Sequence, residues 1–488
     1  MAYQLPDDCL NEIFEYLEMD KFTLHSCLLV NRLWCEISVR ILWRNILNFK
    51  FGKKRSFKIE TSILSTLIAC LPNESKNILH DNNIFISTPT SKPLLFNYVS
   101  FCKSLSIYGF NRIIIGALES RKSLAKHRNS LVANEIIKMF ATQISSLKHL
   151  TYHRKPFYNL NISFPHFPGA RELSELYCDS DLPSDFFYQL SQICHNLQSI
   201  SIDFCKIITD EIKELITSQN NLKNLILSSS NGNWTDIIPT ITNHSNTITK
   251  LKLYSNCDSS FSFVSSFSNL QELMISFLIG DLKDLEILQY VNFPKLQILK
   301  IPFYNCSKPE YIMNFLENNG KNLKKLYIGE CTNKTLNLSI SKFCPNLKSL
   351  FIMFTNGELD VLKTILISCQ YLESIKILCG NYHLSEKEVL ETVVKYSPNN
   401  FRELKIQHTT NSDAFPNDLE SFFISWERRT QKKLLSFMII DYKEYNYNYG
   451  NFCEVLEVIK KYVDLGTIKF MTKSKEKESE EEEEFYIF

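Results

Sequence analysis

A six-residue pattern, Leu-x-x-Leu-x-Leu with Ile, Phe or Met admitted at the apolar places, limits the fold of this 488-residue chain more than any other feature. It reads LKHLTY at Leu147, LSELYC at Leu173, LQSISI at Leu197, LKNLIL at Leu222, ITKLKL at Ile248, LQELMI at Leu270 and LQILKI at Leu296. LKKLYI at Leu323, LKSLFI at Leu347, LESIKI at Leu372, FRELKI at Phe401 and LLSFMI at Leu434 continue it, with a degenerate CKSLSI at Cys102 and a weaker LGTIKF at Leu465. From 147 to 372 successive starts lie 22 to 27 residues apart, a beat that chance does not hold through ten copies. Apolar residues at every second place have the period of a strand. Between the motifs the spacing becomes helical: Thr209 or Asp210 can cap a helix with Ile212, Leu215 and Ile216 on one face. Ser385-x-x-Glu388 likewise reads as a capping box ahead of Val389, Leu390, Val393 and Val394.

The pattern and its period resemble leucine-rich repeats, in which each copy is a short strand followed by a returning helix. The resemblance implies a mixed α/β fold for residues 97–472: a curved solenoid whose parallel strands, ~4.8 Å apart, line the inner curve with the helices outside. CHNLQSISIDFCKIITD, residues 194–210, resembles the cysteine-containing subtype; Cys331 stands at the phase of Cys205, and Cys344 and Cys369 at that of Cys194. Cysteines recurring at fixed phase are expected to pack under turns as small apolar side chains. The last intervals lengthen to 29, 33 and 31 residues, and residues 444–451, EYNYNYGN, read as an inserted loop. Residues 108–146 are a comparable excess near the start, with the polar run 121–130 expected as a surface loop. The tail, residues 473–488, opens with the charge run KSKEKESEEEEE and is expected to be disordered.

Ahead of the repeats, LPDDCLNEIFEYLEMDKFTLHSCLLVNRLWCEISVRILWRN reads as three short helices. Leu10, Ile13, Phe14 and Leu17 make one helical stripe starting near Pro6, Asp20 can cap a second helix and Asn31 a third. A unit of roughly 40 residues rarely buries enough apolar surface to stand alone, so part of this surface must be covered by the rest of the chain or by a partner. Leu5-Pro6, Leu10, Ile13-Phe14, Leu17, Leu24, Val30-Asn31-Arg32, Trp34 and Leu42-Trp43-Arg44 resemble the F-box, over residues 3–46. In that family the module docks on the Skp-type adaptor of a cullin-RING ubiquitin ligase. The resemblance therefore implies Leu5, Pro6, Leu10, Ile13, Phe14, Leu17, Leu24, Val30, Trp34, Leu42 and Trp43 as adaptor contacts, and a protein substrate held by the repeats. Residues 47–96 are expected to be a helical and loop connector packed on the first repeat, with Ile63, Leu64, Leu67, Ile68 and Leu71 on a helix that Pro72 ends.

A formal charge of +1 gives no electrostatic reason to expect nucleic acid or an acidic membrane as partner. No run of 18 apolar residues occurs, so an intracellular protein, cytoplasmic or nuclear, is expected. Fifteen cysteines without a C-x-x-C pair suggest neither a disulfide framework nor a zinc module. The chain has 12 Gly and none of the glycine-rich loops that cradle phosphates or raise a nucleophile. His149 and His153 are four apart on an expected strand, with no local Glu or Cys companion to complete a metal site. No catalytic residue, cofactor or metal is indicated, and a binding role is expected rather than an enzymatic one.

Strand alternation points the third, fifth and seventh motif residues away from the core. This places Lys250, Lys252, Tyr254, Lys300, Lys325, Tyr327 and Phe351, followed by Lys376, Lys405 and Lys469, on the open face. They are expected to be either a soluble strand face or a groove for an acidic or phosphorylated segment of the substrate. The alternative to a ligase receptor is a ligase-independent repeat scaffold whose N-terminal helices only cap the solenoid.

Overall fold

The computed structural model describes residues 5–47, 56–86, 88, 94–118, 123–153, 164–205, 208–229, 232–255, 260–277, 285–302, 308–329, 331–380, 382–408, 416–429, 434–441 and 449–472. The chain divides into two compact units, residues 1–223 and 224–488.

The first unit opens with α1 (Asp7–Glu15), α2 (Lys21–Cys27) and α3 (Arg32–Arg44). The expected caps form: the Thr23 amide donates to Asp20 Oδ1 at 3.1 Å, and the Trp34 amide to Asn31 Oδ1 at 2.9 Å. Next come α4 (Phe57–Cys70), stopped ahead of Pro72, and α5 (Asn73–Asp81). Both are held to helices that follow: Arg112 Nη2 donates to Glu60 Oε1 at 2.7 Å, and Ser75 Oγ to Glu135 Oε2 at 2.7 Å. Those partners lie on α6 (Ile107–Ala117) and α7 (Ser123–Gln143). Residues 123–130, expected as loop, are thus the first turns of a 21-residue helix in which Asn129 and Ser130 are buried. The polar composition of that run misled because helix formation tolerates polar residues such as His127 and Arg128 on a solvent-facing side.

Four parallel strands complete the unit: β1 (Ser104–Ser106), β2 (His149–Tyr152), β3 (Glu175–Asp179) and β4 (Ser199–Phe204), paired in chain order. The helices α8 (Ser184–Ile193) and α9 (Asp210–Thr217) pack beside each other. The N-terminal helices are joined directly to this sheet. Lys103 donates its amide to the Arg44 carbonyl at 2.8 Å, Ser106 to that of Leu47 at 3.1 Å, and Leu47 forms a parallel bridge with Leu105.

The second unit continues the pattern with β5 (Asn224–Ser229), β6 (Lys250–Ser255), β7 (Glu272–Phe277), β8 (Ile298–Ile301), β9 (Lys325–Ile328), β10 (Ser349–Phe351), β11 (Ser374–Cys379), β12 (Glu403–His408), β13 (Leu435–Asp441) and β14 (Ile468–Thr472). Each described pair is parallel, and the order follows the sequence. Helices at Pro309–Asn319, Lys334–Phe343, Leu359–Ser368, Glu386–Tyr396, Pro416–Glu427 and Tyr449–Asp464 stack side by side. Both units are therefore leucine-rich-repeat structures, mixed α/β with parallel strands and a helical layer. The expected insertion at 444–451 falls mostly outside the described residues, and the tail 473–488 entirely so.

Repetition makes one apolar choice count many times. The fourth and sixth motif residues, such as Leu225 and Leu227, Leu251 and Leu253, or Ile375 and Ile377, are all but inaccessible. Each such side chain contributes ~1.5–3 kcal/mol relative to exposure. The phased cysteines behave as expected: Cys194 donates its thiol to the Leu173 carbonyl at 3.8 Å, and Cys369 to that of Cys344 at 3.5 Å, one repeat back in each case. Two copies lacking cysteine use an amide. Gln219 accepts the Leu197 amide at 2.9 Å and donates to the Cys194 carbonyl at 2.7 Å; Asn319 does the same for Phe293, at 2.7 Å, and Val291, at 2.9 Å. Two local expectations differ. Thr209 and Ser385 hold the N-cap places without side-chain cap bonds, and Cys331 is disulfide-bonded, whereas Cys194, Cys344 and Cys369 keep free thiols.

Candidate protein-docking sites

The three N-terminal helices build their own small core. Leu10, Phe14, Leu24, Cys27, Ile37 and Ile41 fill it, with Leu17, Leu33, Trp34 and Leu42 partly buried against them. Phe14 meets Trp34 edge-on at 5.1 Å. Of the eleven side chains expected on the docking surface, Leu10, Phe14 and Leu24 are therefore interior, because a three-helix unit must spend its central stripe on itself. Leu17, Trp34 and Leu42 show only an edge. Trp43 is turned to the segment just ahead of β1, its ring 4.9 Å from that of Tyr98. Leu5, Pro6, Ile13 and Val30 are exposed, as expected.

Four exposed apolar residues lie outside that expectation: Tyr16, Met19, Phe22 and Leu29, of which Met19 is 93% and Phe22 89% accessible. The signal was present in the sequence. Once the core stripe is assigned to Leu10, Phe14, Leu17 and Leu24, most other large apolar residues of α1, α2 and their turns are surplus. The exposed large apolar residues of the module all fall between Leu5 and Val30, while the end of α3 is occupied by the junction with β1.

The row on the open face of the second unit is less open than alternation implies. Lys300, Tyr254 and Phe351 are buried, which corrects their expected exposure. The cause is the neighbour across the strand. Tyr254 donates its hydroxyl to Met274 Sδ at 3.2 Å, and Tyr327 stacks on Phe351 at 4.3 Å with Lys376 Nζ 5.2 Å from the Phe351 ring centre. Glu272 stands between two lysines, 3.8 Å from Lys252 Nζ and 3.7 Å from Lys300 Nζ, and offsets part of the row's charge. Lys250 remains exposed and Lys325 is half-buried.

In the first unit the histidines do find carboxylates, one repeat away. His149 Nδ1 lies 2.9 Å from Glu175 Oε2, an interaction that holds the Glu175 carboxyl below its usual range. His153 Nδ1 is hydrogen-bonded to Asp179 Oδ1, both side chains buried, with the Tyr177 ring 4.0 Å from the imidazole. Asp179, Asp203 and Cys205 each bring a potential ligand atom to within 4.8 Å of one another. Burial, then the charges of Asp203 and Asp179, push the Tyr177 phenol up. Reading companions only along the local sequence missed these acids, since a solenoid makes neighbours of residues one period apart.

Among the described residues no helix is long and apolar enough to cross a membrane. The family profile of F-box-like domains matches residues 2–48. No curated protein matches the chain. Among solved structures, the chain is similar to one from the yeast Rad7 and Elc1 complex, at 14% identity and a TM-score of 0.40, covering 92% of this chain and 97% of that one. It is also similar to the leucine-rich repeat-containing protein LegL7 of Legionella pneumophila, at 13% identity and a TM-score of 0.33, over 68% and 92% of the two chains. A leucine-rich-repeat protein of Leptospira interrogans matches at 14% identity and a TM-score of 0.31, over 81% and 98%. The chain thus carries an F-box-like domain at its N-terminus, followed by leucine-rich repeats.

Proposed function

We propose that this chain is the substrate-recognition subunit of a cullin-RING ubiquitin ligase. Its F-box-like domain docks on a Skp-type adaptor, and its repeats hold a target protein for ubiquitin transfer. The observation that carries the reading is the F-box-like match over residues 2–48, on a module whose surplus apolar side chains lie in α1, α2 and their turns. A patch of that kind needs a covering partner, and a few such anchors supply most of the affinity of a small interface. The role asks for no chemistry of the chain's own: positioning suffices, because the ligase brings the reactive enzyme. It is a role for the cytoplasm or the nucleus.

A ligase-independent scaffold is favoured by a different observation. The end of α3 is bonded to β1 through Arg44 and Leu47, as a solenoid cap would be. A cap, however, has no use for exposed Met19 and Phe22. Co-expression of the full chain with a Skp-type adaptor separates the two readings. The wild type is expected to co-purify with the adaptor, and a Leu5→Asp, Ile13→Asp, Val30→Asp variant to lose it while melting as the wild type does. A wild type that does not co-purify with the adaptor would overturn the receptor reading, and adaptor binding that survives these changes would take the contact off this surface.

A further inference from the structure

The repeat period that aligns the strands also aligns the residues at their entry edge. In β8 to β11 this edge carries an open cavity of about 400 Å³ lined by Pro294, Lys295, Gln297, Lys321, Asn322, Lys324, Asn346, Lys348 and Tyr371. Its composition follows from phase. Gln297, Lys324 and Lys348 are the second motif residues of three consecutive repeats, and Lys295, Asn322, Asn346 and Tyr371 precede the first motif residue of four. The backbone fixes the columns: the Lys324 amide donates to the Gln297 carbonyl at 2.8 Å and the Lys348 amide to that of Lys324 at 2.8 Å. Side chains of the second position therefore stand one strand spacing apart, ~4.8 Å.

Four ammonium groups line this cavity and no carboxylate does. Lys295 Nζ donates to Asn269 Oδ1 at 2.7 Å and Lys324 Nζ to Gln297 Oε1 at 2.8 Å, neutral acceptors that orient the amines without cancelling their charge. Lys348 is the one with an acidic neighbour among the described residues, Glu373 Oε1 at 3.1 Å, and that carboxylate also pairs with Arg402. On the open strand face Glu272 serves both Lys252 and Lys300. At the edge, Lys295, Lys321 and Lys324 have no such carboxylate beside them among the described residues. Tyr371, exposed at its rim, offers a ring to an incoming chain.

We propose that this edge cavity binds a phosphorylated segment of a protein partner, a proposal that rests on the receptor reading for the partner's role as substrate. A phosphoryl group concentrates nearly two charges and three acceptor oxygens at one point. That matches ammonium groups and the Gln297 and Asn322 amides lining one concavity better than it matches a run of carboxylates spread along a chain. Lysine donors recognise such a group by charge, without the planar fork that arginine would impose. The cavity holds one phosphoresidue and its immediate neighbours, and the second-position column gives the flanking chain a direction.

The test uses the full chain and a fluorescein-labelled ten-residue peptide carrying one central phosphoserine, against the same peptide with serine. The phosphopeptide is expected to bind, the serine peptide to bind at least roughly tenfold more weakly, and the difference to shrink as the Debye length falls from ~10 Å at 0.1 M salt to ~3 Å at 1 M. Lys321→Glu with Lys324→Glu is expected to weaken binding by roughly tenfold or more, and Lys321→Gln with Lys324→Gln by less. Lys250→Glu, on the open face, is expected to leave it unchanged. Equal binding of the two peptides, or insensitivity to the Lys321 and Lys324 changes, would overturn the proposal. So would complete displacement by inorganic phosphate at the peptide's own concentration, which would mark a free-anion site. Adaptor co-purification of the same variants keeps the two readings apart: loss of peptide binding by the Glu variants with the adaptor retained supports the cavity and leaves the receptor role intact, whereas a wild type that holds the adaptor but not the phosphopeptide counts against the cavity alone. Peptide binding with no adaptor association by the wild type supports the cavity and counts against the receptor role.

Discussion

Arg44 grips Glu15 with both arms of its guanidinium, Nη1 and Nη2 each 2.6 Å from a carboxylate oxygen, and so ties α3 to α1. The same residue's carbonyl accepts the Lys103 amide. One side chain and its own backbone therefore connect the outermost helix of the F-box-like domain to the first strand of the repeats. The hydrogen bond from Arg44, with its charge, holds the Glu15 carboxyl below the usual carboxylate range. Glu15 is partly exposed, so the pair contributes about 1 kcal/mol or less. Its sign with pH is fixed: a carboxyl depressed in the folded state stabilises fully above its unfolded pKa of about 4.3 and loses that contribution as pH falls through the folded value. Arg44→Lys, which keeps the charge but not the fork, is expected to speed hydrogen exchange of the α1 amides severalfold at pH 7 and to leave β2 to β4 unaffected.

Interior and surface residues of the F-box-like domain should separate cleanly. Leu10→Ala opens a void in a core of six buried side chains and is expected to cost about 2–5 kcal/mol, unfolding the module. Phe22→Asp, at a side chain 89% accessible, should change stability by no more than about 0.5 kcal/mol yet reduce adaptor affinity. Melting curves and adaptor co-purification measured on both variants check the pair; a Phe22→Asp protein that binds as the wild type does would remove this residue from the contact.

Gly329 closes β9 where the chain runs against its neighbour, and a Cβ there would lie 2.2 Å from the Pro302 carbonyl oxygen. Backbone cannot move aside as a flexible side chain can. Gly329→Ala is expected to destabilise the surrounding repeats by about 1–3 kcal/mol, seen as faster amide exchange in β8 to β10. Wild-type exchange in those strands would show that the repeat spacing yields more readily than the geometry implies.

The buried cysteines should be chemically silent. Burial pushes the Cys194 and Cys369 thiols up to about 12, whereas Cys9 is exposed. At pH 8 a thiol of that pKa is ionised in about one molecule in ten thousand. Cys9 is expected to react with a disulfide reagent at pH 8 within minutes and Cys194 and Cys369 only on unfolding, as peptide mapping would read. The linkage runs in the alkaline direction. A thiol raised on folding stabilises fully below its unfolded pKa of about 8.5, and that contribution is lost as pH climbs toward about 12.

The strands were legible because their determinant is local: Leu and Ile at fixed places in each copy. Even the degenerate CKSLSI and LGTIKF motifs mark strands, β1 and β14. What each strand does with its open side was not, since alternation names the face and not the side chain standing beside it. Lys300 and Phe351 are shaded by residues about one repeat away in sequence, and His153 and Asp179 are partners across 26 residues, again one period. Reading the copies in columns, phase by phase, would have paired them. The same operation brings Lys324 beside Lys348. In the N-terminal module the difficulty was different: the apolar stripe was correct, but a unit this small consumes most of it internally, so Leu10, Phe14 and Leu24 hold the shape and the leftover Tyr16, Met19, Phe22 and Leu29 meet solvent.

The parallel bridge between Leu47 and Leu105 makes the N-terminal helices a handle rather than a tether. A load taken up at α1 and α2 passes through Arg44 into β1, with no slack there to absorb a turn. Whatever grips those helices also sets the heading of the first rungs, so aiming them needs no separate hinge.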